Sequence, residues 1–145
     1  MAYATQSDLS PGIIPARTLV QLTDDSNSNA VDTDVVQEKL DQASGTIEMY
    51  CRARYALPLQ QTRELTGMAA AIAAYMLYSR RASQVPEPIK DGYTYAIQML
   101  KDISTGKAGL DSPVVGGNEQ TGSGNVVVSR KRRSITDCNL EGYTG

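Results

Sequence analysis

The chain has no histidine, no tryptophan, no phenylalanine and only two cysteines among its 145 residues. The missing histidine removes the usual general base, proton shuttle and commonest metal ligand together, which weighs against an enzyme. Without Phe or Trp the core has to be filled by Leu, Ile, Val, Met and Ala, with the eight tyrosines at its margin, since each hydroxyl needs a polar partner. Cys51 and Cys138 lie far apart in unlike surroundings, so neither a disulfide framework nor a zinc site is suggested. Free thiols suit a reducing cytosol. The longest apolar stretch, residues 68–78, is about half the ~20 residues that span a bilayer, and reads as a core helix. Residues 1–10 are polar and lack the basic start and apolar run of a secretory signal, so the expectation is a protein that stays inside the cell, with no membrane partner.

What is present is a chain of one domain's length with unevenly placed charge. Residues 1–50 hold eight acidic and two basic side chains, for −6; residues 51–107 hold eight basic and four acidic, for +4; the remainder balances at zero, giving the net −2. Such a chain suits acidic-against-basic contact between copies better than blanket nucleic-acid binding. Two solvated faces without a partner are the bland alternative.

The spacing of apolar residues predicts an all-α fold: three long helices and a short N-terminal one, joined by proline corners. Thr5 and Asp8 read as the start of a helix that Pro11, Gly12 and Pro15 hold to one or two turns. A brief apolar piece, 17–22, precedes a polar loop at 23–29. A long helix is expected after Asp32 or Thr33, with Val36, Leu40, Ala43, Ile47, Tyr50 and Leu57 on one stripe and Cys51 alongside, ending at Pro58. The next spans about 62–82, carrying Leu65, Met68, Ala69, Ile72, Tyr75, Met76 and Ser79 on one face and an alanine run that allows close approach. The third spans about 87–105 on Ile89, Tyr93, Ala96, Ile97, Leu100 and Ile103, with Pro88 in its first turn and Gly106 as a left-handed cap. The helical core is thus assigned to residues 1–106. Residues 107–145 form a glycine-rich linker and an extended arm, too poor in apolar groups to fold alone. Within the arm, Val126, Val127 and Val128 are β-prone and able to add a strand to a sheet edge.

No catalytic, cofactor-binding or metal-ligating set emerges. The acidic loop at 24–34 lacks the glycine at its sixth position and the glutamate at its twelfth that a calcium loop requires. Residues 117–123 have phosphate-loop glycine spacing, but Ser123 stands where the lysine is needed. Cys51, beside Arg52 and Arg54, reads as a core cysteine rather than an activated thiolate, for want of a base. The tract Arg130, Lys131, Arg132 and Arg133 fits a phosphate backbone, an acidic groove on a protein partner, or plain solvation.

Four segments together resemble a family of small virion proteins from Mu-like tailed phages: Tyr3-Ala4-Thr5-Gln6-Ser7-Asp8-Leu9, Leu22-Thr23-Asp24, Arg54-Tyr55-Ala56-Leu57-Pro58-Leu59, and the run from Tyr95 through Leu100 to Lys107. The stretch from Ser129 to Tyr143 is similar more loosely. The resemblance implies a head-tail connector, an adaptor or head-completion protein: a ring of helical bundles, commonly twelve copies, beneath the portal protein. Such a ring offers a docking surface to a tail-completion or tail-terminator protein, with contact to packaged DNA open to it. It implies that the arm docks on the portal, with Val126, Val127, Val128, Arg130, Lys131, Arg132, Arg133, Leu140 and Tyr143 as the candidate residues. Arg52 and Arg54 become candidates for ring contacts or for facing the DNA channel. A DNA-binding helical module associated with genome packaging is the alternative from another class.

Overall fold

The structure, a computed structural model, describes residues 1–81 and 84–115. These form five helices: α1 (Gln6–Leu9), α2 (Ala16–Thr23), α3 (Thr33–Cys51), α4 (Arg63–Arg81) and α5 (Glu87–Thr105). The all-α expectation holds, with two short N-terminal helices in place of one. No sheet forms among the described residues, where the only strand-like pairing is a single antiparallel bridge between Tyr55 and Val114.

Each helix starts and stops for a local reason. At α1 the Asp8 carboxylate accepts from both the Thr5 amide and the Thr5 hydroxyl, each at 2.7 Å, and the helix ends before Pro11. The stretch read as a brief apolar piece is α2. Pro15 at its N-cap already holds a φ of −57°, and Leu19 and Leu22, one turn apart, are buried. Asp32 caps α3, its carboxylate accepting from the amides of Asp34 at 3.1 Å and Val35 at 3.3 Å. α5 begins with Pro88 in its first turn and closes on Gly106, whose φ of +85° is the left-handed geometry glycine adopts freely.

The core is laid down by Val36, Leu40, Ala43, Ile47 and Cys51 of α3, by Ala96, Leu100 and Ile103 of α5, and by α4 between them. α4 packs against all four other helices, so it is buried around more of its circumference than one stripe: Ala69, Ala70, Ala73, Ala74, Leu77 and Tyr78 are all inside. Ser79, expected on the buried face, is exposed. Small residues let the helices close up, and Gly92 of α5 faces Ala71 across that seam. Tyr75 and Tyr93 stack over it with ring centroids 4.1 Å apart.

The end of α3 differs from expectation. The helix stops at Cys51, and Leu57, placed on its apolar stripe, is 44% exposed. The cause is a non-local capture of the backbone. A turn follows, with the amides of Arg54 and Tyr55 both donating to the Cys51 carbonyl at 2.9 Å, and beyond it the Ala56 amide donates to the Pro113 carbonyl and the Val115 amide to the Arg54 carbonyl, both at 2.8 Å, which takes the chain off the helical path. Residues 107–115, at the start of the stretch assigned to linker and arm, therefore lie against the bundle. The Leu110 amide donates to the Tyr55 hydroxyl at 3.0 Å and the Gln60 amide to Ser112 Oγ at 3.0 Å. The rest of the arm, including its expected strand, lies outside the described residues.

Candidate functional site

α3 and α5 run parallel, with α4 antiparallel between them, so the C-termini of α3 and α5 and the N-terminus of α4 meet at one end of the bundle. We call this the corner end. It is built around two tyrosines. Tyr3 is buried between α3 and α4: its amide donates to Ser44 Oγ at 2.9 Å, and its hydroxyl donates to Glu48 Oε1 at 2.8 Å and accepts from the Leu59 amide at 3.1 Å. Its carbonyl accepts from Gln61 Nε2 at 3.2 Å and from Thr66 Oγ1 at 2.9 Å. Burial, reinforced by the Glu48 carboxylate and opposed by the Leu59 amide, raises the Tyr3 phenol above its ordinary pKa. Tyr55, also buried, holds the 107–115 segment through Leu110.

The two arginines singled out in the sequence are in unlike positions. Arg54 is half-buried and turned against the C-terminus of α5, with Nη1 3.5 Å from the Ile103 carbonyl, where a cation offsets the negative end of the helix dipole. A side chain at position 106 would collide with its guanidinium. Arg52, two residues earlier, is exposed. The arm residues Val126, Val127, Val128, Arg130, Lys131, Arg132, Arg133, Leu140 and Tyr143 lie outside the described residues, as does Cys138. Cys51 is buried, and desolvation pushes its thiol pKa up, the opposite of what an activated thiolate needs.

The opposite end carries the acidic loop. Asp24 accepts from the amides of Ser28 at 2.9 Å and Asn29 at 2.7 Å, and these bonds hold its pKa below the carboxylate range, Ser28 contributing most. Asn27 and Asn29 both have φ of +58°, a left-handed conformation that asparagine tolerates better than most side chains. Asp25 pairs with Arg80 and Arg81 of α4. The same arginines donate to the carbonyls of Leu22 and Gln21, each at 3.1 Å. This second arginine pair, which sequence reasoning missed, ties the ends of α2 and α4 together. Its visible trace was two cations in the last turn of a helix, where they also suit the dipole. The loop carboxylates are thus engaged by backbone amides and arginines, and no group of metal-ligating side chains occurs among the described residues.

Exposed charge of both signs occurs at each end. Asp25 lies against Arg80 and Arg81 at the loop end, and Asp34, Glu38 and Asp41 are exposed along the first half of α3, while Arg52, Arg63, Lys101 and Lys107 are exposed toward the corner end together with Glu64 and Asp111. Large exposed apolar side chains gather at the corner too: Met49, Leu57, Val114 and Val115. Beside them, a groove of about 490 Å³ opens between the start of α4 and the end of α5, lined by Met68, Met99, Ile103 and Leu110 with Glu64 and Asp111 at its edge.

The fold and these clusters define a small helical-bundle protein whose buried polar side chains all find partners among the described residues and bind chain segments to one another. The chain belongs to the bacteriophage family described as Bacteriophage Mu, Gp36, which matches residues 3–129. That match takes in the whole described structure from Tyr3 onward and the valines at 126–128, and ends before the basic tract. Membership makes this a phage protein and supports a structural role in general terms. No match was found among curated proteins. No helix among the described residues is long and apolar enough to cross a membrane.

Proposed function

We propose that the chain is a non-enzymatic virion component, a head-tail connector that assembles as a ring beneath the portal in the host cytoplasm and remains in the neck of the particle. The observation that carries this reading is a pair of surfaces of unlike chemistry: Asp34, Glu38 and Asp41 exposed on the first half of α3, and Arg52, Arg63, Lys101 and Lys107 exposed near the apolar Met49, Leu57, Val114 and Val115 at the corner end. The acidic surface of one copy against the basic, partly apolar surface of the next makes a heterologous contact, which closes into a ring when the rotation fits. Complementary charge steers such encounters and fixes their register. Family membership and the lack of histidine are in keeping with a structural part. The partners on this reading are copies of the chain itself, the portal protein, and a tail-completion or tail-terminator protein, with the arm reaching the portal.

The test is charge reversal at the corner end with the fold left alone. Arg52→Glu together with Lys107→Glu, both exposed, is expected to weaken self-association in sedimentation and to lower the yield of tailed particles in an assembly reaction. Unchanged sedimentation and normal particle yield would refute the ring-contact assignment.

A further inference from the structure

We infer that residues 109–115 are a strap that opens and closes on the bundle as one unit, latched to residues 54–60, and that its opening bares an apolar surface while the helices stay folded. Among the described residues four hydrogen bonds hold the strap, and all four reach that one short stretch of chain. The Leu110 amide donates to the Tyr55 hydroxyl and the Gln60 amide to Ser112 Oγ, each at 3.0 Å. The Ala56 amide donates to the Pro113 carbonyl and the Val115 amide to the Arg54 carbonyl, each at 2.8 Å. No residue of the strap is itself buried: Leu110 and Ser112 are half-buried, and Gly109, Asp111, Pro113, Val114 and Val115 are exposed. Little apolar burial and a few hydrogen bonds at the surface mark a segment that opens well below the free energy of global unfolding.

Other contacts confine the motion at both ends. The hinge is at Gly106, because the amides of Lys107 and Ala108 donate to the Asp102 carbonyl and so belong to the cap of α5. The latch stays in place when the strap leaves. Its first residues are tied to α3 by the Arg54 and Tyr55 amides on the Cys51 carbonyl, and its far end by the Leu59 amide on the Tyr3 hydroxyl. Ala108, Gly109, Leu110 and Asp111 form one wall of the groove that Met68 and Ile103 also line, and Tyr55, whose hydroxyl the strap engages, is 3% exposed. Lifting the strap removes that wall and uncovers Tyr55, so the apolar surface belongs to the open form alone, as in a cryptic pocket. The four bonds require a single strap conformation, so losing one of them weakens the other three. The inference does not rest on the connector reading.

Amide hydrogen exchange of the full-length protein, followed by NMR, tests it. The Ala56, Gln60, Leu110 and Val115 amides are expected to share one protection factor within about threefold, and to lie at least roughly tenfold below Leu59 and Ile72. Ser112→Ala removes the acceptor of Gln60 alone. It should speed exchange at Ala56, Leu110 and Val115, which it does not touch, by one common factor of roughly 3–10, and leave Leu59 and Ile72 unchanged. Tyr55→Phe, which removes the acceptor of Leu110, should act in the same way on Ala56, Gln60 and Val115. With Cys138→Ala in the background, labelling of Met68→Cys by a thiol reagent should accelerate on adding Ser112→Ala by the factor seen at the amides. Four amides that exchange only together with Ile72, a Ser112→Ala effect confined to Gln60, or labelling indifferent to Ser112→Ala would each overturn the inference.

Discussion

Replacing Tyr3 with phenylalanine removes one oxygen atom and should cost a large share of the protein's stability. The ring stays, so the packing of this 2%-exposed side chain is kept and only the hydroxyl's two bonds are lost. One is a 2.8 Å donation to the Glu48 carboxylate, and bonds to charged groups contribute about 1.5–3 kcal/mol. The other, from the Leu59 amide at 3.1 Å, leaves a buried donor unpaired at a cost of roughly 1–3 kcal/mol. The two share one atom and are not fully additive, so the expected loss is about 2–4 kcal/mol. With a urea m-value near 2 kcal/mol/M, the unfolding midpoint falls by roughly 1–2 M. Tyr95→Phe, at a tyrosine 67% exposed, is the control and should stay within about 0.5 kcal/mol of the parent. The pH dependence supplies a second readout. The folded state raises the Tyr3 pKa, so it favours the neutral phenol. That contribution is present below the ordinary tyrosine value near 10 and is lost as pH climbs through the raised value. The phenylalanine variant should lack this part of the alkaline destabilisation. A loss below about 0.5 kcal/mol, with an unchanged alkaline profile, would refute the claim that this hydroxyl pins the N-terminal segment.

Further expectations follow from other parts of the structure. Gly106→Ala forces a left-handed alanine and displaces the Arg54 guanidinium, so it should destabilise by about 1–3 kcal/mol. Gly45→Ala, in mid-helix with open space around it, should stabilise by about 0.5–1 kcal/mol in the same denaturation assay. Asp25 has its pKa lowered, chiefly by hydrogen bonding from Arg80; its pairing is therefore complete above the ordinary carboxylate value and lost as pH falls through the lowered one. In an Arg80→Gln, Arg81→Gln variant its titration followed by NMR should move up toward the ordinary range. Truncation after residue 106 removes the partners of Tyr55, Ala56 and Gln60, and should lower the melting temperature clearly.

Local signals made most of the helical frame legible. Pro88 and Gly106 bracket α5, and Asp32 announces α3, because each satisfies or terminates a backbone pattern within a few residues. What stayed hidden depends on distant partners. The apolar stripe of α3 continues in sequence to Leu57, but Pro113 and Val115 take the backbone of residues 54–56 into another path. Arg54 looked like half of an exposed pair with Arg52, yet the closing turn of α5 draws it inward. Ser79 reads as part of the α4 stripe and Tyr78 does not, because a one-stripe pattern assumes neighbours on one side, whereas this helix has them on several. The groove beside Met68 and Met99 was invisible for the same reason, since one wall comes from residues 108–111, after the last helix.

The sewing of Tyr3 into the bundle also imposes an order of events on synthesis. Tyr3 leaves the ribosome well before its partners, which run from Ser44 and Glu48 through Leu59 and Gln61 to Thr66. At roughly 5–20 residues per second, Thr66 follows Tyr3 by about 3–13 s. Throughout that interval the N-terminal segment has no native place to go, and only the arrival of the first turn of α4 allows it to be locked down. Anything attached ahead of Met1 therefore travels with a segment that settles late, after the first long helix is already made.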